Sequence, residues 1–529
     1  MKMAFLSMFM ALFLGRAISG QTLKPPVSPD YGLLLHPGEA GHNEAEVAAS
    51  MEKAKSARIN TIVLLVKDSA GLYYSSKLFP GAIAQEYKNF DLLKTVLTEA
   101  HKRGMRVQAW LADFVEGKNG WAYTSHPEWA ELNPDGQTTL SEIGASGKSY
   151  QDVWMCPARR PGYVDQYLLP IIKEIVSTYP VDGLLEGFAR YPGDLNPDGY
   201  CFCDYCLAHV FEHGHLVYDS EPHLAPLLRS LPRIDADLAR EYTPKPALWN
   251  EWSRREKAKF LLHGRYENDS SSDMSYFFYT YRTDVVTNFM QEAHEIVNAA
   301  RPECTISAAV FKNPIAGGRF LGQKWSDWTG SVDEFMPMTF RNQFNGSWST
   351  FLQEFAEYTR YQKRWAANRK LNQSISVPSL YQDMIDPIHR MAAASDQWLA
   401  AGAGAGGTLR SDILRWSQVT LDQLPESPRK TEFKTAVQNL PEQIDSEIAR
   451  AKLIEVRHVG DKLLSNPPAG FFPPSRLLEV IHIARESGAD GIMLYGATML
   501  ETANLWASVK EGFNEKNEGQ PVTASAPAR

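Results

Sequence analysis

The chain has 529 residues, 44% hydrophobic and 22% charged, with a formal net charge of −8. That length fits one large decorated domain or a few smaller ones, and that composition suits a globular core. Mild acidity without any block of Lys and Arg argues against a nucleic-acid partner. The 13 Trp and 22 Tyr are more informative. Aromatic faces fill cores, and they are also the platforms on which sugar rings stack.

The N-terminus reads as a secretory signal over residues 1–20. Lys2 supplies a short positive region, residues 3–14 an apolar run, and Ala17, Ser19 and Gly20 the small residues near a cleavage point. The run is too short to span a bilayer comfortably. No Cys ends it and no second such run follows. The expectation is a secreted or periplasmic protein with no membrane attachment after cleavage.

From residue 21 to 513 the chain alternates apolar strands with helical stripes. The first strand is expected at 31–36 and the second at 61–66, after the polar turn at 57–60. Phe90, Leu93, Val96, Leu97 and Ala100 then form one helix face. A third strand is expected at 106–111, followed by a stripe of Val164, Leu168, Ile171, Ile172 and Ile175. The fourth spans 184–188. An insertion at about 193–274 carries most of the cysteines. After a stripe of Phe278, Val285, Phe289, Ala293 and Ile296, strands are expected at 304–311, 333–340 and 374–380. A second insertion covers about 396–466, rich in Ala and Gly and then in charge, and the eighth strand is 491–495. The polar tail at 514–529 is expected to be disordered.

Runs apolar on both faces are what buried parallel strands look like. Eight strand–helix units favour an α/β fold of the (β/α)8 TIM-barrel kind, with long inserted loops after strands 4 and 7. The first strand is not followed by a G-x-G-x-x-G turn, which weighs against a dinucleotide-binding sheet.

In such a barrel the active face lies at the C-terminal ends of the strands. Glu186 interrupts an apolar strand there, and a buried carboxylate is costly unless paired or used. Arg190 is its expected partner, either holding a catalytic carboxylate ionised or bracing the rim as a structural pair. Glycosidic bond cleavage needs a second carboxyl. Asp113 and Asp383 are the candidates, with Glu116 as a rival that otherwise joins the substrate-binding set. That set also includes His36, Trp110, Arg190, Tyr191, Trp325, Trp328, Tyr381 and Tyr495, all expected on active-face loops.

The five Cys are Cys156, Cys201, Cys203, Cys206 and Cys304. Cys201, Cys203, Cys206 and His209 offer four ligands at zinc-like spacing. A disulfide with a spare thiol, or free packing cysteines, are the alternatives. Any zinc there is expected to be structural, and no cofactor is required for the expected chemistry.

The run CPARRPGYVD at 156–165 and VDGLLEGFARYPG at 181–193 resemble the glycosyl-hydrolase-like family 10 proteins and related hypothetical glycosyl hydrolases. HPEW at 126–129, NPDG at 133–136, CFCDYC at 201–206 and VDEFMPM at 332–338 fit as well. The resemblance spans about 30–345, with a looser echo at 475–512. It implies that the 181–193 segment ends the fourth barrel strand, where many relatives carry Asp at the position of Glu186. The resulting expectation is an exported glycoside hydrolase acting on a poly- or oligosaccharide. A carbohydrate-binding barrel without catalysis and a zinc-dependent hydrolase are the alternatives.

Overall fold

The computed structural model describes residues 29–514, except 145–148, 194, 197, 212–247, 267–268 and 403–405. The expected signal at 1–20, the tail from 515 and much of the first insertion lie outside the described residues.

Eight parallel strands close into a barrel. They are β1 (Asp30–Leu35), β2 (Thr61–Asp68), β3 (Arg106–Ala112), β4 (Gly183–Gly187), β5 (Thr305–Phe311), β6 (Glu334–Met338), β7 (Lys370–Ser376) and β8 (Gly491–Tyr495). Each pairs with its sequence neighbour, and β1 pairs with both β2 and β8. That last pairing removes the sheet edges, which is why the fold is a barrel rather than an open sheet.

Helices α1 (Glu44–Ser56), α2 (Leu92–Lys102), α3 (Leu169–Thr178), α4 (Ser275–Ala300) and α5 (Trp348–Ala366) surround the barrel. Side chains cap several of their orphan N–H groups: Asn43 accepts from the Glu46 N–H, Asp91 from Lys94 and Ser347 from Thr350. Gly104, at φ +66°, turns the chain out of α2 toward β3, a backbone conformation that favours glycine.

Two core layers result. Leu34, Val63, Leu65, Trp110, Leu185, Met336 and Met493 fill the barrel interior. A much larger cluster packs the outer strand faces against the helices. Below the interior layer lies a polar plug. Glu334 accepts from Gln108 Nε2 at 2.9 Å, Ser307 Oγ at 2.9 Å and Asn372 Nδ2 at 3.1 Å. Asp30 pairs with Arg106 at 3.1 Å and Lys370 at 2.7 Å.

The seventh strand begins at Lys370 rather than 374, and 377–380 is a helical turn. Polar Lys370 and Asn372 hide the strand in the sequence because they face the polar plug. The second insertion starts earlier than 396. It consists of α6 (Gln382–Ala401), α7 (Gly406–Gln423), α8 (Pro428–Gln438) and α9 (Glu447–Ser465), and α10 (Pro474–Glu486) returns the chain to β8. A further excursion follows β3, where Val115–Gly117 and Asp152–Trp154 form a small antiparallel hairpin. Among the described residues, no helix is long and apolar enough to cross a membrane.

Candidate active site: the barrel mouth and a buried carboxyl pair

Strand alternation decides where Glu186 points. Leu184 belongs to the outer cluster and Leu185 to the barrel interior, so Glu186 returns to the outer side. Its register partner Leu111 is also outer. The interior position at the strand end is Gly187, where a Cβ would come within 2.3 Å of Trp110 Nε1. Glu186 therefore faces the strand–helix layer and not the mouth, which corrects the expected placement. The sequence could not show this, because β4 is apolar on both faces.

Asp113, just beyond β3, meets Glu186 in that layer, and both are fully buried. No other described residue donates to either carboxyl, and the two carboxyls lie against each other. Burial lifts Asp113 well above the ordinary carboxylate range. The Glu186 charge adds to this, and Lys67 opposes it. Burial raises Glu186 to about 7, and the hydrogen bond from Asp113 holds it down. Burial thus favours a proton on the pair.

Lys67 is occupied elsewhere. Its Nζ donates to the carbonyls of Ala112 at 2.6 Å and Val115 at 2.7 Å, and pairs with Glu116 at 2.9 Å. Tyr163 donates to Glu116 at 2.7 Å. Glu116 is consequently a buried brace for the loop after β3 and not a sugar contact.

The mouth is aromatic. Half-buried His36 follows β1. Its ring meets Trp110 edge-on at 5.5 Å and Tyr495 at 5.6 Å, with Nε2 3.1 Å from the Tyr495 hydroxyl. Phe340 lies parallel to Tyr495 at 6.3 Å. Trp110 Nε1 is buried and has no hydrogen-bond partner among the described residues. Beside this group, the Arg190 guanidinium sits over the rings of Trp154, Phe188 and Phe311 at 4.7, 5.1 and 5.0 Å. Arg190 therefore builds an aromatic wall in place of the expected pairing with Glu186. Phe340 was legible from the alternation Glu334, Met336, Met338, Phe340. Trp154 was not, because its hairpin is too short to read.

The remaining expected contacts disperse. Tyr191 is buried beneath the Arg282 guanidinium, 4.1 Å from its ring. Trp325 is fully buried against Phe335, and Trp328 donates to Thr287. Tyr381 is fully buried and donates to the Pro473 carbonyl. All four are packing residues, as large aromatic side chains on short loops often are. Asp383 is exposed and held bidentately by Arg476 at 2.6 and 3.0 Å, away from the Asp113–Glu186 pair.

The Cys cluster gains a member and loses one. The sulfur atoms of Cys156, Cys201, Cys203 and Cys206 lie within 4.8 Å of one another. The fourth sulfur comes from Cys156, 45 positions before Cys201 (201 − 156), and not from His209. His209 instead packs against the Tyr205 ring at 4.3 Å.

Residues 45–186 match the sequence profile of a family described as Hypothetical glycosyl hydrolase 6. Over that segment the chain is similar to that family. The protein Glycosyl hydrolase DigH of Escherichia coli strain K12 is 34% identical over 139 residues, which cover 24% of this chain and 30% of that protein. The Shigella flexneri protein of the same name matches to the same extent. The chain therefore spans less than a third of the length of these curated relatives. Among solved structures, a β-galactosidase from the haloarchaeon Halorubrum lacusprofundi aligns at TM-score 0.45 and 11% identity, covering 91% of this chain and 57% of that one. An α-amylase from Lactobacillus plantarum aligns at 0.37 and 14%, covering 70% and 68%.

Proposed function

We propose that this chain is an exported glycoside hydrolase that takes a poly- or oligosaccharide at the mouth of its barrel. The observation that carries the reading is the mouth itself: Trp110, His36, Tyr495 and Phe340 cluster at the C-terminal end of a closed barrel whose residues 45–186 resemble a hypothetical glycosyl hydrolase family. Such a surface offers ring faces for sugar stacking. The motif run at 181–193 supports a kinship with the family 10 proteins as well. The N-terminal apolar run supports secretion or periplasmic export.

Cleavage would draw on Asp113 as the proton donor and Glu186 as the base or nucleophile, since their environments separate the two protonation states. A pair in hydrogen-bond contact is closer than the roughly 5 Å that separates the carboxyls of a retaining enzyme. Glu186 faces away from the mouth, so both the end of β4 and the loop after β3 would have to rearrange for this pair to reach a substrate. A second reading, sugar binding without cleavage, is favoured by Gly187, which leaves strand 4 without a carboxyl facing the mouth.

One experiment separates the two. Full-length protein is screened against glycans for binding and for reducing-sugar release, beside Glu186→Gln and Tyr495→Ala. Release that disappears in both variants supports the hydrolase. Release that survives in Glu186→Gln removes the pair from catalysis. Binding with no release on any glycan establishes the second reading.

A further inference from the structure

We propose that Cys156, Cys201, Cys203 and Cys206 form a structural zinc-tetrathiolate centre that ties the loop after β3 to the loop after β4. Cys156 follows the hairpin strand Asp152–Trp154, and the other three come from the start of the first insertion. All four are buried, and their sulfurs are mutually close. Cys156 Sγ lies 3.7 Å from Cys203 Sγ and 3.5 Å from Cys206 Sγ. Four sulfurs about 2.3 Å from a tetrahedral zinc are about 3.8 Å apart, whereas bonded sulfurs are about 2.05 Å apart. One sulfur close to two others is the signature of a shared centre, because disulfides sort sulfurs into pairs.

The surroundings fit thiolates. The Cys203 N–H donates to Cys201 Sγ and the Cys206 N–H to Cys203 Sγ, each at 3.5 Å. The Arg159 guanidinium lies beside Cys203, Cys156 and Cys201. Four thiolates around a dication carry net charge −2, and these donors offset it from outside the ligand shell. Four sulfur ligands leave no open coordination position, so the centre is structural and does not activate water. Its place in the fold gives it a task. Cys156 is two residues from Trp154, whose ring carries Arg190. Fixing the cluster fixes that wall of the mouth.

The test begins with full-length protein purified without chelator or added metal. Elemental analysis is expected to find one zinc per chain. An organomercurial thiol titration, read with a zinc-sensitive dye, is expected to consume four thiols per zinc released. Cys203→Ser and Cys206→Ser are expected to lose the metal, while Cys304→Ser keeps it. If the serine variants fail to fold, the titration of the unmodified protein still decides. Absence of zinc, iron in its place, or bridged cysteines found by mass spectrometry of the unreduced chain each overturns the proposal.

Discussion

Two pairs of buried carboxyls sit on the same barrel and are held in opposite ways. At the N-terminal end, Asp30 and Glu334 lie among Arg106, Lys370, Gln108, Ser307 and Asn372. Near the other end, Asp113 and Glu186 lie against each other with no donor among the described residues. The first pair is held by cations and amide donors that keep its charge satisfied. Burial raises both members of the second pair, because desolvating two uncompensated charges is costly. A buried acid read from sequence is therefore not yet a site, since its partners decide whether it braces, titrates or reacts.

The contrast breaks most directly at the plug. Glu334→Leu removes the carboxylate that accepts from Gln108, Ser307 and Asn372, while Arg106 and Lys370 keep Asp30, and should cost about 3–5 kcal/mol in urea unfolding. A loss below about 1 kcal/mol would show that the plug does not depend on this carboxylate.

The pH response sharpens the other half. Glu186 rises from an ordinary 4.5 to about 7 on folding. A raised acid favours the folded state only while protonated. Its contribution is complete below pH 4.5 and is lost as pH climbs through 7. Stability measured from pH 4.5 to 8 should fall by up to about 3 kcal/mol from this group. Glu186→Gln should remove that slope, and an unchanged slope would detach the titration from the pair.

At the mouth, Tyr495→Ala should weaken glycan binding about tenfold, near 1.4 kcal/mol, with little change in unfolding. Equal affinity by calorimetry would move the sugar platform elsewhere. The smallest effect is expected at Asp383→Ala. Its carboxylate is half exposed against Arg476, so stability should change by less than about 1 kcal/mol and sugar release not at all.

Much of this was legible in the sequence. The eight strands emerge from both-face apolar runs, and seven of the eight begin within about two residues of expectation. Only β7 slips, where polar plug residues break the pattern. The site was less legible. His36, Trp110 and Tyr495 do meet at the mouth. Glu116, Tyr191, Trp325, Trp328 and Tyr381 turn into core, because a position after a strand does not tell which way a side chain turns.

The sequence by itself determined the alternation of strand and helix, the count of eight and the spacing of three cysteines, because periodicity and local spacing are written along the chain. Only the tertiary structure decided that Glu186 faces outward, that Asp113 lies against it and that Cys156 completes the sulfur cluster. The physical reason is the same in each case. A strand apolar on both faces carries no mark of its inner side until the barrel closes, and partners distant in sequence meet only when the loops between strands pack.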